Sequence, residues 1–257
     1  GLFIGDYYAR EGKRSGAWCS TFRNQSKVNG KRLNPIVLNV CNFSKPQKGM
    51  PCLLTFDEAK TLFHEFGHAL HQLLSNVNFE MLSGTSVSRD FVELPSQWFE
   101  HWLESEEILK KFTCHYKTKN NISPKLLKNV ILSRTFNSGF DTTEYLASAI
   151  MDIKLHSEKS NSDPIKLEKT YLDKIGLTKA IYPRHNLAQF QHIFSGGGYA
   201  SAYYSYIWSE MMDEDAYSAF LETGNIFDKE TAKNFEKNIL SQGGLKEPEI
   251  LYKAFRK

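Results

Sequence analysis

From Thr55 onward, apolar positions recur along this chain at three- and four-residue intervals, the period of helices; only the stretch before Thr55 breaks that rhythm. There, residues 17–22 (Ala-Trp-Cys-Ser-Thr-Phe) and 36–41 (Ile-Val-Leu-Asn-Val-Cys) are rich in β-branched and aromatic side chains, and a turn-prone stretch with Asn29-Gly30 and Pro35 separates them. They predict two short strands. Thr55 followed by Glu58 is a capping box, and the first long helix after it presents Phe56, Ala59, Leu62, Phe63, Phe66, Ala69, Leu70, Leu73 and Leu74 as an apolar stripe, ending near Ser75-Asn76. Ser123-Pro124 and Pro164 open further helices, because proline at the first helical position removes an N–H that has no partner anyway. Residues 140–157, 199–222 and 229–240 complete a mostly α fold with a small β-sheet.

With 257 residues and 41% hydrophobic content, the chain suits one large domain or two modest ones, and the polar stretch from Lys117 to Pro124 is the predicted subdivision. The chain starts at Gly1 rather than Met, and Leu2-Phe3-Ile4 is an apolar opening that reads as part of a buried element. The expectation is a portion of a longer protein.

Charge changes the picture by exclusion. The 32 basic and 29 acidic residues, net +3, are interspersed, so no basic stripe points to nucleic acid as a partner. No apolar run reaches the roughly 20 residues that span a bilayer, and no leader-like apolar region opens the chain, so the expectation is a cytoplasmic protein with no membrane partner. Cys19, Cys41, Cys52 and Cys114 lack both the density of a disulfide scaffold and close C-x-x-C spacing, and read as reduced structural thiols.

Candidate chemistry centres on His64-Glu65-Phe66-Gly67-His68, an H-E-x-x-H on the first helix. Residues i and i+4 stack on one helix face about 6 Å apart, so His64 and His68 can bite one metal ion. Glu65, about 100° round the helix, leans instead toward the position a water would take, the place of a general base. Zinc lowers the pKa of its bound water to roughly 7, and a carboxylate beside that water can take its proton as it attacks an amide carbonyl. Such a motif also occurs by chance as a polar helix face. Here it lies among Phe63, Phe66, Ala69 and Leu70, where three ionisable groups are costly to bury without a cation.

A catalytic zinc takes a third protein ligand. His71 projects about a turn beyond the point between His64 and His68 and reads as supporting or core-facing; Glu80 lies in a predicted loop. Glu93, among Phe91, Val92 and Leu94 on a segment that can form a second helix crossing the first, is the predicted ligand.

His64-Glu65-Phe66-Gly67-His68-Ala69-Leu70-His71, then Ser83-Gly84-Thr85, then Arg89-Asp90-Phe91-Val92-Glu93-Leu94-Pro95-Ser96-Gln97, in this order and spacing, resemble the thimet oligopeptidase family of zinc metallopeptidases. The resemblance implies a multi-helix zincin-like catalytic domain with the small sheet near the active site and one zinc per chain, held by His64, His68 and Glu93, with Glu65 as base. It continues through Phe190-Gln191-His192-Ile193-Phe194-Ser195-Gly196-Gly197-Gly198-Tyr199 and Tyr203-Tyr204-Ser205-Tyr206, where the longer spacer is similar to the bacterial peptidyl-dipeptidase branch. By that resemblance His192, Tyr199 and Tyr206 donate hydrogen bonds to substrate and oxyanion. From spacing alone, Tyr199, Tyr203 and Tyr206 make an ordinary core stripe.

The resemblance runs from Gly5-Asp6-Tyr7-Tyr8 to Tyr252-Lys253-Ala254-Phe255-Arg256, while complete members carry an additional N-terminal portion that forms the other wall of a channel for short peptides. It therefore implies short peptide substrates, release of C-terminal dipeptides, and a possible separate N-terminal portion as partner. The rival readings are a catalytically silent fragment and one chain of a split peptidase. Arg184 and His185 are weaker candidates for contacting a substrate carboxylate, and read equally as a solvated arginine and a packed histidine.

Overall fold

The computed structural model describes residues 1–157 and 163–256. Strands β1 (Leu2–Tyr8), β2 (Trp18–Arg23), β3 (Ser26–Val28), β4 (Lys31–Leu33) and β5 (Ile36–Phe43) precede helices α1 (Phe56–Leu74), α2 (Leu94–Glu104), α3 (Glu106–Phe112), α4 (Pro124–Ser133), α5 (Ser138–Ser157), α6 (Pro164–Lys174), α7 (Ser205–Leu221), α8 (Lys229–Phe235) and α9 (Pro248–Phe255). The mostly α reading with a small sheet holds. Among the described residues, no helix is long and apolar enough to cross a membrane.

The sheet orders its strands β1-β5-β2, with β1 parallel and β2 antiparallel to β5. Asn29 and Gly30 both take positive φ (49° and 75°), which a two-residue type I′ hairpin requires, and they join β3 to β4. The sequence pattern does not predict β1, because a strand paired in parallel with a distant partner has no hairpin turn to announce it.

Thr55 caps α1 as its sequence requires, its hydroxyl accepting the Glu58 N–H while the Glu58 carboxylate accepts the Thr55 N–H at 2.8 Å. Ser123 caps α4 and Asp163 caps α6, each ahead of its proline. The expected helix over 199–222 starts later, at Ser205: Gly196 (φ 132°) and Ser201 (φ 56°) take left-handed backbone that no α-helix contains. Residues 229–240 are α8 followed by a single π-helical stretch, Glu236–Leu240.

The chain forms two compact units, one of Gly1–Ile108 with Ser209–Lys257, the other of Leu109–Trp208. In the first, Phe91, Leu94, Trp98, Trp102, Phe220 and Phe235 are buried together with Ile239 and Leu251. Within this unit α1 packs against α2 and against β2 and β5. The polar face of α1 is the more deeply buried: Glu65, His71 and Gln72 lie inside, while Phe63, Leu70 and Leu73 are only half covered. The second unit packs Met151, Tyr171, Leu187, Phe190, Ile193 and Tyr203.

Candidate functional site

Gly67, in the middle of the H-E-x-x-H turn, explains how a second helix reaches α1. A Cβ there would stand 2.4 Å from the Pro95 carbonyl oxygen and 2.6 Å from the Ser96 Cα, so only glycine permits this approach. The close crossing delivers Glu93, the residue that caps the start of α2, to the face of α1 that carries both histidines.

Glu93 Oε2 lies 3.2 Å from His64 Nε2 and 3.1 Å from His68 Nε2, and the two imidazoles stand 4.9 Å apart at 87°. Metal–ligand bonds of about 2.0–2.1 Å in a tetrahedron place neighbouring ligand atoms about 3.3 Å apart, so these three atoms fit the donor set of a zinc site. Ser96 Oγ donates to Glu93 Oε2 at 2.9 Å and steadies the carboxylate. His71 is not among the group: it is fully buried, neither of its ring nitrogens has a hydrogen-bond partner, and burial, then the neighbouring His68, pushes its pKa down to about 3. Glu80 sits exposed in the short 3-10 turn Glu80–Leu82.

Around the triad the electrostatics favour a cation. Burial pushes His64 down, yet its hydrogen bonds to Glu100 and Glu93 win and raise its pKa to about 10. Burial likewise opposes ionisation of Glu93, but His68 and His64 hold its carboxyl well below the usual range. Glu65 is buried beside them, its Oε2 without a hydrogen-bond partner, and burial raises its pKa against the pull of His64 and His68. A buried carboxylate with a free oxygen, next to three converging ligand atoms, can take a proton from a molecule brought there. Cys19 and Cys41, on β2 and β5, are pushed up to about 12 and about 11, first by burial and then by the charge of Glu65, so they are protonated thiols.

The sequence reading missed Glu100. Its Oε1 lies 2.6 Å from His64 Nδ1, an arrangement that fixes the imidazole's tautomer and leaves Nε2 as the donor atom. Lys60 in turn bridges Glu100 and Glu104 at 3.1 Å each. The available signal was spacing: Glu93, Ser96 and Glu100 recur at i, i+3 and i+7, one face of α2. His68 Nδ1 has no hydrogen-bond partner, so the two histidines are supported unequally.

A second set of close groups, His101, Asp213 and Glu214, also lies in this unit. His101 Nε2 and Asp213 Oδ1 are 2.6 Å apart, a hydrogen bond and too close for both atoms to ligate one ion.

The remaining predicted residues assemble in the second unit. His192 sits in the 3-10 turn Gln191–Phe194, its ring 5.1 Å from that of Tyr199 and 6.0 Å from that of Tyr206. Tyr203 is buried between them, 5.4 Å from His192 and 5.5 Å from Tyr206. Arg184 Nε donates to Glu144 Oε2 at 3.2 Å, and His185 stacks on Phe190 at 4.7 Å. Burial, then Arg184, lowers the His185 pKa, so its ring is neutral at pH 7.

With this geometry in hand, likeness to known proteins adds identity. The chain is 38% identical over 260 residues to dipeptidyl carboxypeptidase of Escherichia coli (strain K12), an alignment covering 99% of the chain and 37% of that relative. It is 40% identical over 261 residues to oligopeptidase A of the same organism, covering 100% of the chain and 38% of the relative. The organellar oligopeptidase A of Arabidopsis thaliana is 35% identical over 267 residues, with 99% of the chain and 34% of the relative covered. The chain thus spans little more than a third of the length of these curated relatives. The model of peptidase family M3 matches residues 1–257, and the chain belongs to that family.

Proposed function

We propose that this chain carries the metal-dependent hydrolytic site of a zinc peptidase acting on short peptides, releasing dipeptides from their C-termini. The observation that carries the reading is the convergence of His64, His68 and Glu93, with Glu93 Oε2 within 3.2 Å of both Nε2 atoms, beside the buried carboxylate of Glu65. These three residues would hold one zinc ion. When bound, zinc supplies Lewis acidity, stabilising negative charge that develops on the scissile carbonyl and making water nucleophilic near pH 7.

The chain's own residues do the rest. Glu65 takes the proton of the attacking water on its free oxygen and passes it to the departing amine, one carboxylate serving as base and then acid. Glu100 keeps the His64 imidazole turned so that Nε2 faces the triad. His192, Tyr199 and Tyr206 supply hydrogen bonds to the peptide and its oxyanion, a role supported by membership of the family and by the clustering of both tyrosine rings round His192. Dipeptide release draws support from similarity to dipeptidyl carboxypeptidase. Because those relatives are far longer than the matched region, the reading includes a partner, the portion corresponding to their remaining length, which completes the binding of the peptide.

The test pairs metal analysis with cleavage of a short quenched peptide. The protein should hold about one zinc, and Glu65→Gln should keep it while losing about 10²–10⁴ in turnover, the range a general base supplies. Substantial turnover by Glu65→Gln would remove the base from the mechanism. Mass spectrometry of products from free and C-terminally amidated peptides separates dipeptide release from internal cleavage.

A further inference from the structure

From Gly196 to Tyr204 the backbone forms no helix or strand. Its own backbone bonds are isolated turns, from Tyr199 N–H to Gly196 and from Ala202 N–H to Tyr199, and Ser201 takes a left-handed φ of 56°. A Cβ at Gly196, Gly197 or Gly198 would meet nothing within 4 Å, so packing does not define their path either. Yet this segment carries Tyr199 and leads into the helix that carries Tyr206.

Beneath it lies a carboxylate with no part in the reaction as described. Asp152, on α5, is fully buried, and its two oxygens accept two backbone amides that flank the left-handed turn: Oδ1 takes the Ser201 N–H at 3.0 Å and Oδ2 takes the Tyr203 N–H at 2.9 Å. His156, one turn along the same helix, sets its Nδ1 2.8 Å from Oδ1. Two turns back on the same face, the Tyr145 hydroxyl donates to the Tyr203 carbonyl at 2.5 Å and accepts the Ile207 N–H at 3.3 Å. Tyr203 is therefore pinned to α5 through both its N–H and its carbonyl, and its buried ring is the hub against which His192 and Tyr206 rest.

We propose that Asp152 is a positioning residue of this enzyme, clamping the backbone at Ser201 and Tyr203 so that His192, Tyr199 and Tyr206 are held in their working arrangement before substrate arrives. A buried carboxylate is a poor means of adding stability, because its desolvation opposes folding. What it does well is accept two amides at once in one fixed geometry, which sets the path of a glycine-rich stretch that has no regular secondary structure. Preorganised donors act on the transition state more than on the bound substrate, so the clamp bears on kcat rather than on KM. The inference rests on the proposed role of His192, Tyr199 and Tyr206.

Asp152→Asn tests it, since an amide can accept only one of the two N–H groups and turns its own N–H₂ toward the other. In the zinc-loaded protein, hydrogen exchange at the Ser201 and Tyr203 amides should accelerate at least about tenfold. Hydrolysis of a short quenched peptide should lose at least about tenfold in kcat, with KM changed by less than about threefold and zinc content unaltered. Tyr145→Phe, which removes only the hydroxyl, should shift the same quantities in the same direction by less, and serves alone if Asp152→Asn fails to fold. Unchanged amide protection, or lost protection with kcat intact in either variant, would overturn the proposal. A wild-type protein that cleaves no peptide even when the portion corresponding to the relatives' remaining length is supplied overturns the proposed function instead, and shows itself before any variant is made.

Discussion

The two compact units solve the problem of holding polar groups in a fixed place by opposite means. In the first, the groups are ionisable and buried, and each is held by another charged side chain across the crossing of α1 and α2: Glu93 by both histidines, His64 by Glu100, Glu100 by Lys60. In the second, they are an imidazole and phenols resting ring against ring, on a backbone held by Asp152 and Tyr145. On the proposed function, the first arrangement attracts a cation and the second aims neutral donors. Damage to the proposed ligands and to Glu100 should therefore register as lost metal, and damage to the ring cluster of the second unit as lost rate at constant metal.

The largest effect on stability that this contrast predicts lies in the charged unit. Asp213 is buried on α7, and burial raises its pKa to about 6; the hydrogen bond from His101 opposes the rise while Glu214 and Glu100 add to it. Its folded pKa lies above the unfolded value of 3.8, so its stabilising contribution is fully present below about pH 4 and is lost as pH rises through about 6. Asp213→Asn should remove roughly 3 kcal/mol of that pH dependence, read as the difference in urea unfolding free energy between pH 4 and pH 7 for each protein. Equal slopes for wild type and variant would show that this carboxylate ionises freely.

Tyr206→Phe, in the second unit, should cost about 10² in kcat with metal content unchanged, as for the loss of one oxyanion donor. A Tyr206→Phe protein that sheds zinc would break the division between the units. Glu100→Gln should weaken zinc binding about 10–100-fold in competition with a chromophoric chelator, since the amide holds His64 less firmly, and leave the fold's circular dichroism intact. The smallest effects come from the caps, where Thr55→Ala on α1 and Asp163→Ala on α6 should each cost about 1 kcal/mol. Only the first should also reduce zinc affinity, because α1 carries two of the proposed ligands and α6 carries none; a matching loss from Asp163→Ala would blur the contrast.

By itself the sequence determined whatever depends on a few consecutive residues. The capping box at Thr55 and Glu58, the prolines opening α4 and α6, the Asn29-Gly30 turn, and the pairing of His64 with His68 on one helix face all follow from local geometry, and all appear as read. Tertiary structure decided what depends on approach between distant segments. β1 became a strand only by lying beside β5, and α7 began at Ser205 because the backbone before it turns left-handed at Ser201. Glu100 gained its place at His64, and Glu93 came within 3.2 Å of both histidines, because Gly67 lets two helices touch at Pro95 and Ser96. Periodicity states which face of a helix a residue occupies; only packing states what that face meets, because the contact is chosen by shape and charge across the whole chain rather than by neighbours along it.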